Sequence, residues 1–135
     1  DKIIRENIES LILPLLNTCA NLYPSILEEI PDDLQTTIER KPDFLKKAIF
    51  HSHPEAYILH LEFQTTNDPN MAQRMLEYCG LIHRKYNLIV IQYVIYLGKQ
   101  AVNMPRGIDF NSWKYQYNLV NLADIDTSIF LASDR

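Results

Sequence analysis

Residues 57–65 read Tyr-Ile-Leu-His-Leu-Glu-Phe-Gln-Thr, and this stretch decides the fold. Its side chains alternate between an apolar set and a mostly polar set: Tyr57, Leu59, Leu61 and Phe63 against Ile58, His60, Glu62 and Gln64. A period of two is typical of a β-strand, whose successive side chains point to opposite faces of the sheet. The stretch is therefore predicted to be a strand with one apolar face and one face that carries a carboxylate and an amide.

A second strand is predicted at residues 43–51, joined to the first by the loop Ser52–Glu55. If the apolar sets of both strands face one core, the numbers of paired residues must sum to an odd value, because a slip of one residue turns every side chain over. A sum of 107 leaves a four-residue loop and is favoured. A sum of 105 would set Pro54 beside a two-residue Ser-His turn, which lacks the Gly or Asn that such turns prefer.

The favoured register brings acidic side chains together. It places Asp43 opposite Gln64 and diagonal to Glu62, on the same face of the hairpin. Neighbours of this kind are about 5 to 8 Å apart. Two carboxylates and an amide are therefore expected to form one patch.

The flanking sequence predicts helices and further strands. Before the hairpin it predicts an amphipathic helix at residues 2–20 kinked near Pro14, a short helical turn at Pro24–Ile30 and an extended segment at Leu34–Arg40. After it come a helix from Asp68-Pro69 to Asn87, a buried strand at Leu88–Leu97, a loop at residues 103–107 and an edge strand at Lys114–Ala123. This order predicts one α/β domain over residues 1–135, with a mixed β-sheet flanked by helices.

Composition excludes several classes of protein. The chain has 135 residues, of which 47% are hydrophobic and 22% charged, as expected of one globular domain. It contains neither an apolar run long enough to span a membrane nor a secretory signal. Cys19 and Cys79 lack metal-type spacing and are expected to be reduced packing residues of a cytoplasmic protein. A net charge of −4 is unlike the basic surface of proteins that coat nucleic acid.

Two longer motifs carry a resemblance to a known family. Pro42-Asp43 precedes the run Ile58–Gln64, and the segment Asp68–Tyr78 follows with the pattern D-P-x-M-x-x-R-M-L-x-Y. Together they resemble the PD-(D/E)xK nuclease superfamily, and within it the transposase-like lineage of recombination-promoting nucleases. The resemblance extends from the first helix to about Asp126. It implies a restriction-endonuclease-like core and a Mg²⁺-dependent DNA endonuclease, a hydrolase that takes part in DNA recombination.

The resemblance also implies roles for individual residues. Asp43 and Glu62 would be the catalytic carboxylates and the metal ligands for Mg²⁺, and metal is expected to bind weakly without substrate because two carboxylates leave most of its shell to water and phosphate. Gln64 takes the third catalytic position, where the superfamily usually has Lys. Lys47, on the Asp43 face, is a weaker substitute for that cation. Glu6 on the first helix is a further candidate acid.

The helix that follows offers Arg74 and Tyr78, four residues apart, to bind substrate or to orient Glu62 and Gln64. Each assignment has a plainer alternative. The acids can be solvated surface, Glu6 an exposed helix charge, and Arg74 with Tyr78 a helix surface pair. His51, His53 and His60 suggest zinc only weakly, and the tyrosines of the later strands suit sheet packing better than base stacking.

At the level of function two classes stay open: an active DNA endonuclease, or a catalytically inactive nuclease-fold module that binds nucleic acid or protein. The DNA target and the choice between monomer and homodimer stay open as well. The chain begins without Met and stops soon after the apolar run Ile129–Leu131. We therefore expect it to be a fragment that binds DNA poorly, and that a longer form with a basic C-terminal region would bind DNA better.

Overall fold

The computed structural model describes residues 2–32 and 41–125, with side chains from Ser10 onward. In chain order its elements are α1 (Lys2–Cys19), β1 (Ile26–Glu29), β2 (Phe44–Ile49), β3 (Tyr57–Gln64), α2 (Met71–Tyr86), β4 (Val90–Tyr96), β5 (Gly107–Asp109), β6 (Lys114–Gln116), β7 (Asn118–Asn121) and a 3₁₀ turn at Leu122–Asp124. The predicted extended segment at Leu34–Arg40 and the run Ile129–Leu131 lie outside the described residues.

The main sheet has five strands in the order β1-β2-β3-β4-β7. The first three are antiparallel neighbours, whereas β3, β4 and β7 are parallel. Adjacent parallel strands need a long crossover between them, and α2 provides it between β3 and β4. Strands β5 and β6 form a separate hairpin. The predicted α/β class with a mixed sheet is confirmed.

The two faces of β3 pack against different helices. Leu59 and Leu61 join Ile12 and Leu16 of α1 in one core cluster. On the opposite face Ile58 packs with residues of α2 in another cluster. The alternation predicted from sequence is therefore confirmed, and both faces of the strand are buried. The face that carries Glu62 lies beneath α2.

The segment predicted as a helical turn at Pro24–Ile30 is instead the edge strand β1, so that prediction is wrong. The strand pairs with β2 in antiparallel register. Its Glu29 forms a salt bridge with Lys46, and Glu28 lies 3.9 Å from Lys47. Opposite charges across neighbouring strands stabilise their pairing. These partners lie far along the chain, where a local pattern cannot show them.

Helix α2 begins at Met71, two residues after Pro69, the predicted first helical position. Asp68 still accepts a hydrogen bond, because its Oδ1 receives the Asn70 N–H at 2.8 Å, in the turn that leads into the helix. The helix ends at Asn87, whose φ of 54° is left-handed and whose N–H donates to the His83 carbonyl. Asn tolerates this conformation better than most residues do.

The predicted edge strand at Lys114–Ala123 divides into β6 and β7, which belong to different sheets. Only β7 lies at an edge of the main sheet, and Gly107, predicted as loop, begins β5. None of the helices in the described ranges is both long enough and apolar enough to cross a membrane. Cys19 and Cys79 are free, and burial raises the pKa of both thiols.

Candidate functional site

The β2–β3 register differs from the one predicted. Phe44 pairs with Leu61 and Ala48 with Tyr57, so paired numbers sum to 105. The prediction of 107 was wrong because the ladder ends before the turn, and Phe50 to Ala56 form a longer connection that needs no two-residue turn. A turn bond from the His53 N–H to the Phe50 carbonyl closes this loop. The parity of the prediction was correct, so Asp43 still shares a face with Glu62.

Continued by one residue, the observed register sets Asp43 opposite Glu62 instead of opposite Gln64. Each acid accepts a backbone N–H from the opposite strand segment. Glu62 Oε2 accepts the Asp43 N–H at 2.9 Å, and Asp43 Oδ2 accepts the Phe63 N–H at 2.9 Å. Two carboxylates thus satisfy backbone donors at the point where the regular ladder ends. Their pairing is closer than the sequence predicted.

Glu62 is almost fully buried, with 1% of its surface exposed. A buried carboxylate is costly unless donors surround it. Besides the Asp43 N–H, its Oε2 lies 3.0 Å from His60 Nε2, and its Oε1 lies 3.5 Å from Arg74 Nη2. The Glu62 carboxylate is therefore contacted from three places in the chain: β3, α2 and the residue before β2.

Arg74 brings a positive charge to the carboxylates from α2. Its Nη1 donates to Asp68 Oδ2 at 2.7 Å, and its side chain is 17% exposed. Its Nε and Nη2 are buried and have no hydrogen-bond partner among the described residues. Arg74 is therefore no surface residue. Lys47, the weaker candidate for this charge, faces Glu28 of β1 instead.

A buried polar chain continues from Glu62 toward β4 and β6. His60 is fully buried and packs against Tyr78, with the ring centroids 4.8 Å apart and the ring planes tilted by 57°. Its Nδ1 lies 3.0 Å from the Gln92 amide nitrogen. The Gln92 Oε1 accepts the Tyr115 hydroxyl at 2.5 Å. Tyr78 is itself fully buried and so is not the surface residue of the plainer alternative. This chain links the acids to the β5–β6 hairpin.

No protein-family model, curated protein or solved structure matches the chain. What it does must therefore be argued from the site.

Gln64 lies two residues beyond Glu62 on the same face and is 8% exposed. Directly after it, an open cleft forms at the carboxyl ends of β3 and β4, lined by Thr65, Thr66, Tyr96, Leu97, Gly98, Lys99 and Gln100. In α/β sheets, ligands commonly bind outside the carboxyl ends of parallel strands. The cleft thus begins one residue after Gln64 on the strand that carries Glu62.

The remaining predicted site residues are dispersed. The side chain of Glu6 lies outside the described residues. His53 packs between Phe50 and Tyr57 in the β2–β3 loop, at ring distances of 6.1 and 6.5 Å, while His60 is buried with Glu62. Three of the four tyrosines considered for base stacking lie in one core cluster: Tyr96, Tyr115 and Tyr117. The fourth, Tyr93, packs partly buried against the α1 side.

Asp43 and Glu62 are a donor set suited to a hard cation, since Mg²⁺ prefers carboxylate oxygens. Asp43 is half-buried, and Oε1 of Glu62 has only a long contact to Arg74. Among the side chains of residues 10–32 and 41–125 no group of three or more His, Cys, Asp or Glu could hold a metal ion. A bound Mg²⁺ would therefore take most of its shell from water and substrate.

Gln92 and Asp68 were not predicted from the sequence to be functional residues, and Tyr115 was considered only for base stacking. The sequence around Gln92 could have indicated its importance, because Gln92 is the polar residue of an otherwise apolar strand segment, Val90–Tyr96. Buried polar groups must be paired, so such a residue implies a partner. His60 could have been linked to Glu62 by the same period of two that placed Gln64.

Proposed function

We propose that this protein is a Mg²⁺-dependent DNA endonuclease with a restriction-endonuclease-like core, related to the transposase-like recombination-promoting nucleases and acting in the cytoplasm. The observation that carries the proposal is the pairing of Asp43 and Glu62 across β2 and β3. In support, the antiparallel hairpin, the crossover helix and the parallel strand β4 place both acids on the face covered by α2.

The reaction proposed is hydrolysis of a phosphodiester. A water oxygen bonds to phosphorus, the bond to the leaving oxygen breaks, and that oxygen takes a proton. A bound Mg²⁺ would polarise the phosphoryl oxygen and lower the pKa of its bound water. The chain's own contribution is to hold two carboxylates in fixed positions. Glu62 is held by the Asp43 N–H, His60 and the nearby charge of Arg74, and Asp43 is held by the Phe63 N–H.

Arg74 supplies the positive charge that Lys supplies at the third motif position of the superfamily. Its planar guanidinium can form paired bonds to a carboxylate or a phosphate. Gln64 can orient a water or a phosphate oxygen through its amide, but it cannot take up a proton. Proton transfer from the attacking water would therefore not involve Gln64.

Nicking of supercoiled plasmid, with and without Mg²⁺, tests the proposal. Asp43→Asn and Glu62→Gln keep the shape and the acceptor oxygen of each side chain but remove its charge. We expect Mg²⁺-dependent nicking by the wild type and a loss of at least about 100-fold in either variant, since each variant removes a metal ligand. Glu55→Gln, in the exposed β2–β3 loop, is the matched control and should nick like the wild type.

The catalytically inactive module is the second candidate, and one observation favours it. Both carboxylates already accept hydrogen bonds from protein donors, as acids do when they serve only to close a strand pair. In that case the wild type would not nick DNA at any Mg²⁺ concentration, and Asp43→Asn and Glu62→Gln would lower the free energy of unfolding without changing any activity. Nicking that Asp43→Asn leaves intact would also rule against the proposed site.

A further inference from the structure

Gln92 lies beside His60 in the middle of the sheet. The two residues pair across the parallel strands β3 and β4, and both are buried, with exposed fractions of 5% and 0%. Gln92 Nε2 is 3.0 Å from His60 Nδ1. Because buried polar groups are paired within the protein, the hydrogen atoms between these two side chains can be assigned from their partners.

The orientation of the Gln92 amide is set by two groups other than His60. Its nitrogen lies 2.7 Å from the Met75 carbonyl of α2, which can only accept a hydrogen bond. Its oxygen accepts the Tyr115 hydroxyl. If the amide were turned over, its oxygen would face the Met75 carbonyl, acceptor against acceptor. The nitrogen therefore points toward α2 and His60.

This orientation decides where the imidazole carries its hydrogen. The amide nitrogen has two hydrogens, and one goes to Met75. The other points at His60 Nδ1, which must then present a lone pair. The ring hydrogen is left on Nε2, 3.0 Å from Glu62 Oε2, so His60 donates to Glu62.

We propose that Gln92 and His60 are positioning residues for Glu62: Gln92 fixes the Nε2–H tautomer of His60, and His60 holds Oε2 of the carboxylate. The positioning role rests on the proposed function, since the carboxylate held in this way is the metal ligand proposed above. With Oε2 bound to two donors, Oε1 is the oxygen turned toward Arg74. Partners of this kind orient a ligand without touching the metal.

The tautomer is tested on ¹⁵N-labelled protein by long-range ¹H–¹⁵N correlation of the imidazole rings at one pH near neutrality. The chain has four histidines, and exposed His51, His53 and His83 can be replaced by Gln so that the remaining signal is that of His60. We expect hydrogen on Nε2 and a lone pair on Nδ1. Hydrogen on Nδ1 in this protein would overturn the proposal, whether or not any variant folds.

The positioning role is tested with Gln92→Glu, which replaces the donor facing Nδ1 by an acceptor. We expect hydrogen to appear on Nδ1 and Mg²⁺-dependent nicking to fall by about 10- to 100-fold, the usual loss for a residue that orients a metal ligand. Gln116→Glu, at an exposed position of β6, is the matched control and should change neither. A folded Gln92→Glu protein with the hydrogen moved and nicking unchanged would overturn the role.

The two proposals fail in different ways. If the wild type nicks no DNA, the endonuclease proposal fails, and with it the positioning of a metal ligand. The imidazole spectrum would then still decide the tautomer by itself. If the wild type nicks DNA and its His60 carries hydrogen on Nδ1, the endonuclease stands and the positioning proposal falls.

Discussion

The positive charge of Arg74 lies beside two acidic side chains from different parts of the chain. It contacts Asp68, before α2, and Glu62, in β3, from within the first turns of the helix. The motif of the superfamily that the sequence resembles would place a cation two residues after Glu62, where this chain has an amide. The positive charge is instead supplied by a neighbouring element, so the electrostatic balance at the acids does not depend on Gln64.

We expect Arg74→Met to lower the free energy of unfolding by about 1–3 kcal/mol. In this variant Glu62 stays buried without the positive charge of Arg74, and only His60 and the Asp43 N–H still contact its carboxylate. Urea denaturation at neutral pH measures this loss. Arg84→Met, on an exposed position of the same helix, should cost less than about 0.5 kcal/mol. Equal losses in the two variants would show that the contact of Arg74 with the acids does not stabilise the fold.

Tyr115 makes the free energy of unfolding depend on pH in the alkaline range. Burial raises the pKa of its hydroxyl above the ordinary value, and the nearby Cys79 and Tyr117 raise it further. In the unfolded chain a tyrosine ionises near pH 10. Above that pH the unfolded state binds fewer protons than the folded state, so the free energy of unfolding falls as the pH rises. Stability from this group is complete below about pH 10 and is lost above it.

Tyr115→Phe should therefore flatten the decline in stability between about pH 9.5 and 11.5. At pH 7 the same variant should be less stable by about 1–3 kcal/mol, because the buried Gln92 oxygen loses its donor. Urea denaturation across this pH range measures both effects, with exposed Tyr23→Phe as control. Parallel curves for wild type and Tyr115→Phe would contradict the assignment.

At the scale of elements, the end of α2 makes a sharp prediction. Asn87 has a left-handed backbone that closes the helix through its N–H. Asn87→Ala should destabilise the protein by about 1 kcal/mol, because a Cβ without a polar group is strained there, and Asn87→Gly should be neutral or slightly stabilising. Thermal unfolding of the two variants gives the order. If Asn87→Ala is as stable as Asn87→Gly, the helix does not end in this way.

The elements that sequence predicted well are those whose pattern is local. The alternation in β3 and the apolar run of β4 were sufficient to place both strands, because side-chain direction follows from position within the strand. Strand β1 could not be found in this way, because Ile26–Glu29 has no strand pattern of its own and is a strand only because it pairs with β2. The register of the hairpin was missed for a related reason. Where a ladder ends depends on how the loop packs, here with Phe50 against Tyr57 at 5.6 Å.

At the scale of the whole molecule, the candidate site was predicted in its composition but not in its surroundings. Asp43 and Glu62 could be placed on one face from parity alone, and Arg74 could be proposed as a partner from the helix that follows. That α2 would cover the acids, and that Gln92 would reach His60 from β4, depends on how helix and strands pack after Gln64. Contacts between distant parts of a chain leave no periodic trace in its sequence. The acids were predicted as one patch, with solvated surface acids as the plainer alternative, whereas Glu62 is inside the protein.

Because β3 lies at the centre of the sheet, the geometry of the site persists for as long as the domain stays folded. This strand is hydrogen-bonded to a neighbour on each side and covered by a helix on each face. Segments of this kind exchange their amide hydrogens only when the whole domain opens, whereas edge strands and loops open on their own. The geometry around Glu62 therefore exists before any substrate arrives and is lost only when the protein unfolds. Partial opening at β1 or β7 would leave it intact.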